Sequence, residues 1–216
     1  VSLHKQTCDD DCDDRPVIID DTTEATNLTT RRVLVSGEIT DSVAARVNGH
    51  LQFYAQTKDP VYMYISSAGG SMIAGYSIID QMVLAPFPIY TIVRGQANSM
   101  AAIIAAYGQK NERYITPNAS MMIHSITVFP SQPEPVGTSK LTTDFFEQDY
   151  KAKVKNLSRR VDVSYKKLLE LMNSTHWMNA KAAIKLGFVD RIWTPKHEAE
   201  VDTIWRKIRA QKKTNN

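Results

Sequence analysis

GQANSMAAIIAAYG, residues 95–108, carries a polar tripeptide, Gln96-Ala97-Asn98, then one serine, then a run that is almost wholly small and apolar. The run suits a buried helix over residues 98–107. Just upstream, PIYTIVRG (88–95) reads as a β-strand ending at a glycine. Ser99 therefore sits where a strand turns into a helix. Two readings of its hydroxyl are open there. A serine at a helix start commonly caps the first free amides. The same position also offers unpaired N–H groups and the positive end of the helix dipole, which favour a developing anion next to a nucleophile.

The neighbouring segments repeat the strand–glycine–helix pattern. RRVLVSGEI (31–39) begins with a short strand at Val33–Val35. Asp41 is positioned to cap a helix whose apolar residues Val43, Ala44, Val47, Leu51 and Tyr54 recur at helical spacing. PVYMYISSAGG (60–70) is a strand feeding a Gly-Gly turn, and residues 71–84 form a helix stopped by Pro86 and Pro88. ERYITP (112–117) and SMMIHS (120–125) are further strands. Past the Pro-rich FPSQPEPVG (129–137), the spacing predicts a long polar helix over 139–161, a helix capped by Ser164, and a helix capped by Asn179 and ended by Gly187. FVDRIW (188–193) reads as a last strand, and a charged amphipathic helix follows from His197. Alternation of this kind predicts βαβ units and a parallel sheet, with ligands at the carboxyl ends of the strands. Ser99 and the Gly69-Gly70 turn then share one sheet edge.

Composition narrows the function. A chain of 216 residues, 43% hydrophobic and 23% charged, is long enough for one good-sized core. A net charge of +3 is too small to indicate nucleic-acid binding. No signal peptide or span-length apolar run is visible, so the expectation is a cytoplasmic protein with no membrane contact. Residues 1–16 read as a disordered acidic tail. Both cysteines, Cys8 and Cys12, lie in it without a zinc-spaced partner pair, so no metal is expected. The basic end, IRAQKKTNN, reads as a solvated tail too. The Gly-Gly turn lacks the lysine and hydroxyl of a phosphate loop, so ATP is not bound by a Walker motif here.

A serine hydroxyl is a weak nucleophile without a base. His124 ends a strand of the same unit, and a parallel sheet can bring it to Ser99. Of the other histidines, His4 and His197 fall in expected tails, His50 on a surface helix and His176 in a loop.

Four segments, in order, resemble the Clp protease proteolytic subunit family, the ClpP-like serine peptidases. YMYISSAGGSMIAGYSIIDQM resembles the family's YINSPGG strand, turn and helix. GQANSMAAIIAAYG is similar to its nucleophile segment, TPNASMMIH to the segment ending in the catalytic histidine, and NAKAAIKLGFVDRI to its C-terminal helix and strand. The resemblance runs from about residue 17 to 193. It implies a crotonase-like α/β fold, a spiral of ββα units, with a peptidase domain at 17–196, a protruding strand–helix handle at 129–161 and a C-terminal helix or tail at 197–216.

The resemblance further implies a serine endopeptidase that hydrolyses unfolded polypeptides inside a chamber. Ser99 would be the nucleophile, His124 the general base, and the backbone N–H groups of Gly70 and Met100 the oxyanion hole. It implies a homo-oligomer, a heptameric ring possibly stacked in pairs, and an AAA+ unfoldase partner of the ClpX or ClpA/ClpC type that consumes the ATP. The peptidase itself would need no cofactor. Tyr62, Tyr64, Ile92 and Tyr114 fall where the family has an apolar surface pocket for that unfoldase. Ordinary strand packing is the alternative for these four.

The sequence departs from the family at its third catalytic position. Counting back from Gly187 places Thr175 where the family has an aspartate. A threonine can accept the imidazole N–H but carries no charge. Asn173, Asp144, Asp149 and Asp162 are the alternatives. This departure motivates a second reading, a weakly active or inactive ring subunit that co-assembles with a competent paralogue. Ala68, Asn98 and Arg94 also depart, the last beside the expected docking pocket. An acyl-CoA enzyme of the crotonase class and a Ser–Lys peptidase fit less well. The first would place a carboxylate near the site, and no lysine stands in a matching segment.

Overall fold

In the computed structural model, residues 30–125 and 139–214 are described. The acidic N-terminal segment with Cys8 and Cys12, and the Pro-rich part of the handle, lie outside the described residues. Two requirements organise the rest. A parallel sheet has no room for short hairpins, so its strands are joined by helices. Those helices must then cover both apolar faces.

Strands β1 (Arg32–Ile39), β2 (Val61–Gly70), β3 (Ile89–Asn98), β4 (Arg113–Ile115) and β7 (Arg191–Ile192) lie side by side in that order, all parallel. Helix α1 (Asp41–Tyr54) crosses from β1 to β2, and α2 (Met72–Leu84) from β2 to β3. Helix α3 (Met100–Ala106) follows β3 directly. Strand β3 is shared. Its first half pairs with β4, whereas Gln96, Ala97 and Asn98 pair with Ser120, Met121 and Met122 of β5 (Ser120–Ile123). Strand β6 (His176–Asn179) then adds antiparallel to β5. Helices α4 (Ser139–Ser158), α5 (Tyr165–Asn173) and α6 (Ala180–Lys185) pack around this branch, and α7 (Pro195–Thr214) closes the chain.

Strand β2 shows the two-faced burial. Val61, Met63 and Ile65 enter the main core with α1, α2 and α3, whereas Tyr62 and Tyr64 point into a second apolar cluster. All five are buried. Alternating side chains point to opposite faces of a strand, so a strand buried throughout needs cover on both sides.

Several boundaries differ from the sequence reading. Thr40, not Asp41, caps α1, its hydroxyl accepting from the Val43 amide at 3.3 Å. The side chain one residue before the first helical turn has the shorter reach to that amide. Strand β3 runs on through Arg94 and Gly95 to Asn98, because β5 supplies a ladder for the added residues. His176 lies in β6 rather than a loop, and the last strand contracts to Arg191–Ile192. The C-terminal helix starts at Pro195, a residue suited to a first helical turn. Val201 and Trp205 on it are buried, while the side chains of the basic end, IRAQKKTNN, lie outside the described residues.

Candidate active site

Ser99 does not cap α3. Its side chain makes no capping bond, and its backbone sits at φ 54°, ψ −122°, a left-handed φ that a non-glycine residue rarely adopts. The main chain holds this geometry from both sides. The Ser99 amide donates to the Met122 carbonyl at 2.7 Å, and the Ser99 carbonyl accepts from Ala102 at 3.1 Å. The hydroxyl is thereby turned out of the helix and toward β5. His124 lies just past the end of β5, and its Nε2 is 2.8 Å from the Ser99 Oγ. The parallel register that pairs Asn98 with Met122 sets Ser99 one residue and His124 two residues beyond that last pair, on the same sheet edge.

A second approach comes from the Gly-Gly turn. Gly69 has φ +101°, and a Cβ there would stand 2.8 Å from both the Ser99 Cβ and the Asn98 carbonyl. Only a glycine lets β2 come so close to the serine. Gly70, at φ +147°, packs instead against the Ile39 backbone. The sequence drew attention to the pair. It offered no way to tell that a side chain at 69 would meet the serine and one at 70 the neighbouring strand.

Gly70, Ser99, Met100 and His124 all line one cavity of about 720 Å³. Its deeper wall is apolar, built from Ile103, Ile123, Val154, Leu157 and Met172. Met100 opens α3, so its N–H has no carbonyl four residues back within the helix. Burial pushes the phenols of Tyr76 and Tyr150 above their ordinary values, so both line the cavity as neutral hydroxyls. Lys153 also reaches the cavity but is ion-paired with Asp149 and lies over the Tyr76 ring at 4.7 Å. The arrangement can deliver a hydroxyl nucleophile with a base in hydrogen-bond contact, next to backbone N–H groups and an apolar pocket.

The chain around the histidine is clamped from α5. The Met172 carbonyl accepts from the Ser125 amide at 2.8 Å and from the Thr175 amide at 3.4 Å. Ile123 pairs with His176 in the antiparallel ladder, so Thr175 is next to His124 one step further along. Thr175 has φ 50°, is exposed, and makes no hydrogen bond to His124 among the described residues. The alternatives are placed no better. Asp149 is committed to Lys153 and Asp162 to Lys110, while Asn173 and Asp144 are exposed. No group of three or more metal-ligating side chains gathers among the described residues. Nor is any described helix long and apolar enough to cross a membrane.

Tyr62, Tyr64, Ile92 and Tyr114 do converge, but not as an open pocket. They form one buried cluster with Trp193 and with Val201 and Trp205 of α7. The chain's own helix covers them, because this sheet face would otherwise stand bare. Arg94, out of pattern as a family residue, has a local partner here: it donates to Glu198 at 2.7 Å and lies over the Tyr64 ring at 4.0 Å.

A family model described as Clp protease matches residues 19–196. The chain belongs to the Clp protease family. Curated Clp protease relatives agree over most of its length. It is 38% identical to an ATP-dependent Clp protease proteolytic subunit of Leuconostoc citreum, over 79% of this chain and 86% of that one. It is 33% identical to the same-named subunit of Streptococcus mutans, over 82% and 95%, and 33% to that of Lactococcus lactis subsp. cremoris, over 76% and 84%. The α/β sheet with its carboxyl-edge serine is thus a Clp protease fold. The family match stops at residue 196, leaving all but the first two residues of α7 beyond it.

Proposed function

We propose that the chain is the proteolytic subunit of an ATP-dependent protease, a serine endopeptidase acting on unfolded polypeptides. The observation that carries this reading is the 2.8 Å contact between the Ser99 hydroxyl and the His124 imidazole inside a Clp protease domain. The Ser99 Oγ attacks the scissile carbonyl as its proton passes to His124 Nε2. The proton then goes to the departing amine, leaving an acyl-serine. A water activated by the same imidazole releases the second product. The Gly70 and Met100 N–H groups hold the oxyanion. These proton and acyl transfers are complete with a serine, a histidine and backbone amides, so no metal or organic cofactor is required.

Thr175 is the position from which a third group would steady His124 in this scheme. Its strained φ and its backbone position one step past the Ile123–His176 pair support that role. Assembly into a heptameric ring, delivery of substrate by an AAA+ unfoldase that hydrolyses the ATP, and a cytoplasmic site of action complete the reading. The relatives' shared name supports an ATP-using partner.

Labelling by a fluorophosphonate probe tests the central claim. The native chain is expected to label at one site, and Ser99→Ala to abolish it. A correctly assembled chain that takes up no probe would overturn the peptidase reading in favour of a non-catalytic ring subunit.

A further inference from the structure

The cavity beside Ser99 has more hydrogen-bond donors in its wall than acyl transfer uses. Helix α4 lines it with Tyr150, Lys153, Val154 and Leu157, at the spacing that keeps residues on one helix face. That face changes character along its length. Val154 and Leu157 join Met172, whose carbonyl is bonded to the Ser125 amide, so the wall nearest the histidine is aliphatic. Tyr150 and Lys153 come earlier in the helix. There Lys153 meets Tyr76 of α2, its ammonium 4.7 Å from the ring centroid.

Two of these donors are not used up. The Tyr150 hydroxyl is buried and has no hydrogen-bond partner among the described residues. A buried donor without an acceptor is unfavourable, and a ligand that supplies the acceptor removes that cost. Lys153 carries three N–H donors, one of which goes to Asp149 a turn away on the same helix. Both side chains of that pair stay about one-quarter exposed, and pairs of this kind are weak, so Lys153 is open to a second acceptor.

The charge balance sets the kind of acceptor. Asp149 already offsets Lys153, and the one carboxylate lining the cavity among the described residues is Glu38. An entering carboxylate would be an excess negative charge beside an apolar wall, which is costly. A neutral acceptor carries no such penalty.

We infer that this cavity is a side-chain subsite selecting a residue with an apolar stem and a neutral hydrogen-bond acceptor at its tip, glutamine ahead of glutamate. Tyr150 and Lys153 are its specificity-determining residues. The stem lies against Val154, Leu157 and Met172, and the carboxamide oxygen accepts from the Tyr150 hydroxyl and the Lys153 ammonium. That the selected residue adjoins a scissile bond rests on the peptidase reading above; the chemistry of the subsite does not.

Three fluorogenic peptides that differ only in the residue before the cleaved bond (glutamine, leucine or glutamate) test this on the full chain. By kcat/KM, the native chain is expected to take glutamine at least as well as leucine, and about tenfold better than glutamate. Tyr150→Phe and Lys153→Met should each lower the glutamine-to-leucine ratio about three- to tenfold, the worth of one hydrogen bond. The ratio is taken within one sample, so loss of folded protein or of overall rate cancels from it. Fluorescence anisotropy of the same peptide sequences, dye-labelled, on Ser99→Ala and on Ser99→Ala/Tyr150→Phe reads the preference without the chemistry. If the native chain cleaves none of the three, yet Ser99→Ala prefers glutamine and the double variant does not, the peptidase reading falls and the subsite stands. The proposal is overturned if neither Tyr150→Phe nor Lys153→Met moves the ratio, or if Ser99→Ala shows no preference for glutamine over glutamate.

Discussion

The Ser99 amide hydrogen-bonds the Met122 carbonyl at 2.7 Å, and this one backbone bond ties the turn bearing the hydroxyl to the strand bearing the imidazole. It completes what the β3–β5 register begins and leaves the hydroxyl no freedom to fold back as a helix cap. Removal of either side chain should therefore stop turnover without unfolding the protein. His124→Ala is expected to lower kcat/KM for a chromogenic peptide by about 10⁴-fold, as loss of a member does in other serine peptidases. The melting temperature should stay close to native, since the histidine is only half-buried. A loss under about tenfold would mean that another base serves the serine.

Thr175 invites a gain of function. It holds a left-handed φ of 50°, a conformation that aspartate tolerates better than a β-branched residue. Thr175→Asp should relieve strain and place a charge beside the imidazolium. The expected result is a rise of about 10- to 100-fold in kcat/KM, part of the roughly 10⁴ that the acid contributes in the serine-protease template. Thr175→Ala should cost less than about tenfold, because the native hydroxyl makes no hydrogen bond to His124 in this geometry. Peptide kinetics on the two variants, run beside the native chain, read both directions.

Gly69→Ala should damage the site more than the fold. The added methyl must sit at φ +101° and 2.8 Å from the Ser99 Cβ, so either β2 or the serine turn has to move. A strained backbone of this kind costs about 1–3 kcal/mol. Displacement of the nucleophile by even 1 Å costs about 100-fold in rate. Urea melts and probe labelling of the same sample separate the two effects. A fully active Gly69→Ala would show that the turn does not set the serine's position.

Acid stability should depend on Asp190. Burial by itself would push its carboxyl up, but hydrogen bonds and charge from Arg113, at 2.6 Å and 2.9 Å, outweigh that and hold it below the usual carboxylate range. A depressed carboxyl pKa gives stability that is fully present above the unfolded value, about 4, and is lost as pH falls through the folded one. Denaturant midpoints measured from pH 7 downward should thus drop below about pH 4. Asp190→Asn should lack that component of the acid limb. It should also be less stable at neutral pH by about 3–5 kcal/mol, because it leaves the almost fully buried Arg113 without its counter-charge. An unchanged acid limb in the variant would assign the acid sensitivity to other carboxylates.

Much of this was legible in the residues because the local signals agree with one another. Glycines at 69–70 and 187 mark a strand end and a helix end, and the apolar run after Ser99 has room only for a buried helix. Ser99 and His124 were readable as a pair because a parallel sheet puts successive strand ends on one edge. Strand β6 was not, since four residues, HWMN, hold no clear period. The cover over Tyr62 and Tyr64 was half visible. The stripe from Trp193 to Trp205 shows an apolar helix face, but spacing along a helix carries no address for the surface it meets. Arg94 and Glu198 become intelligible only together, and they are far apart in the chain.

The clamp on His124 has a bearing on how the enzyme comes into being. The hydroxyl and the imidazole are both made in the first 124 residues, yet the carbonyl that ties down the segment after the histidine belongs to Met172, and the strand that flanks it is β6. A ribosome therefore releases both reactive groups well before it releases their brace. A chain still under synthesis carries the two reactive groups before Met172 and β6 have been made to align them.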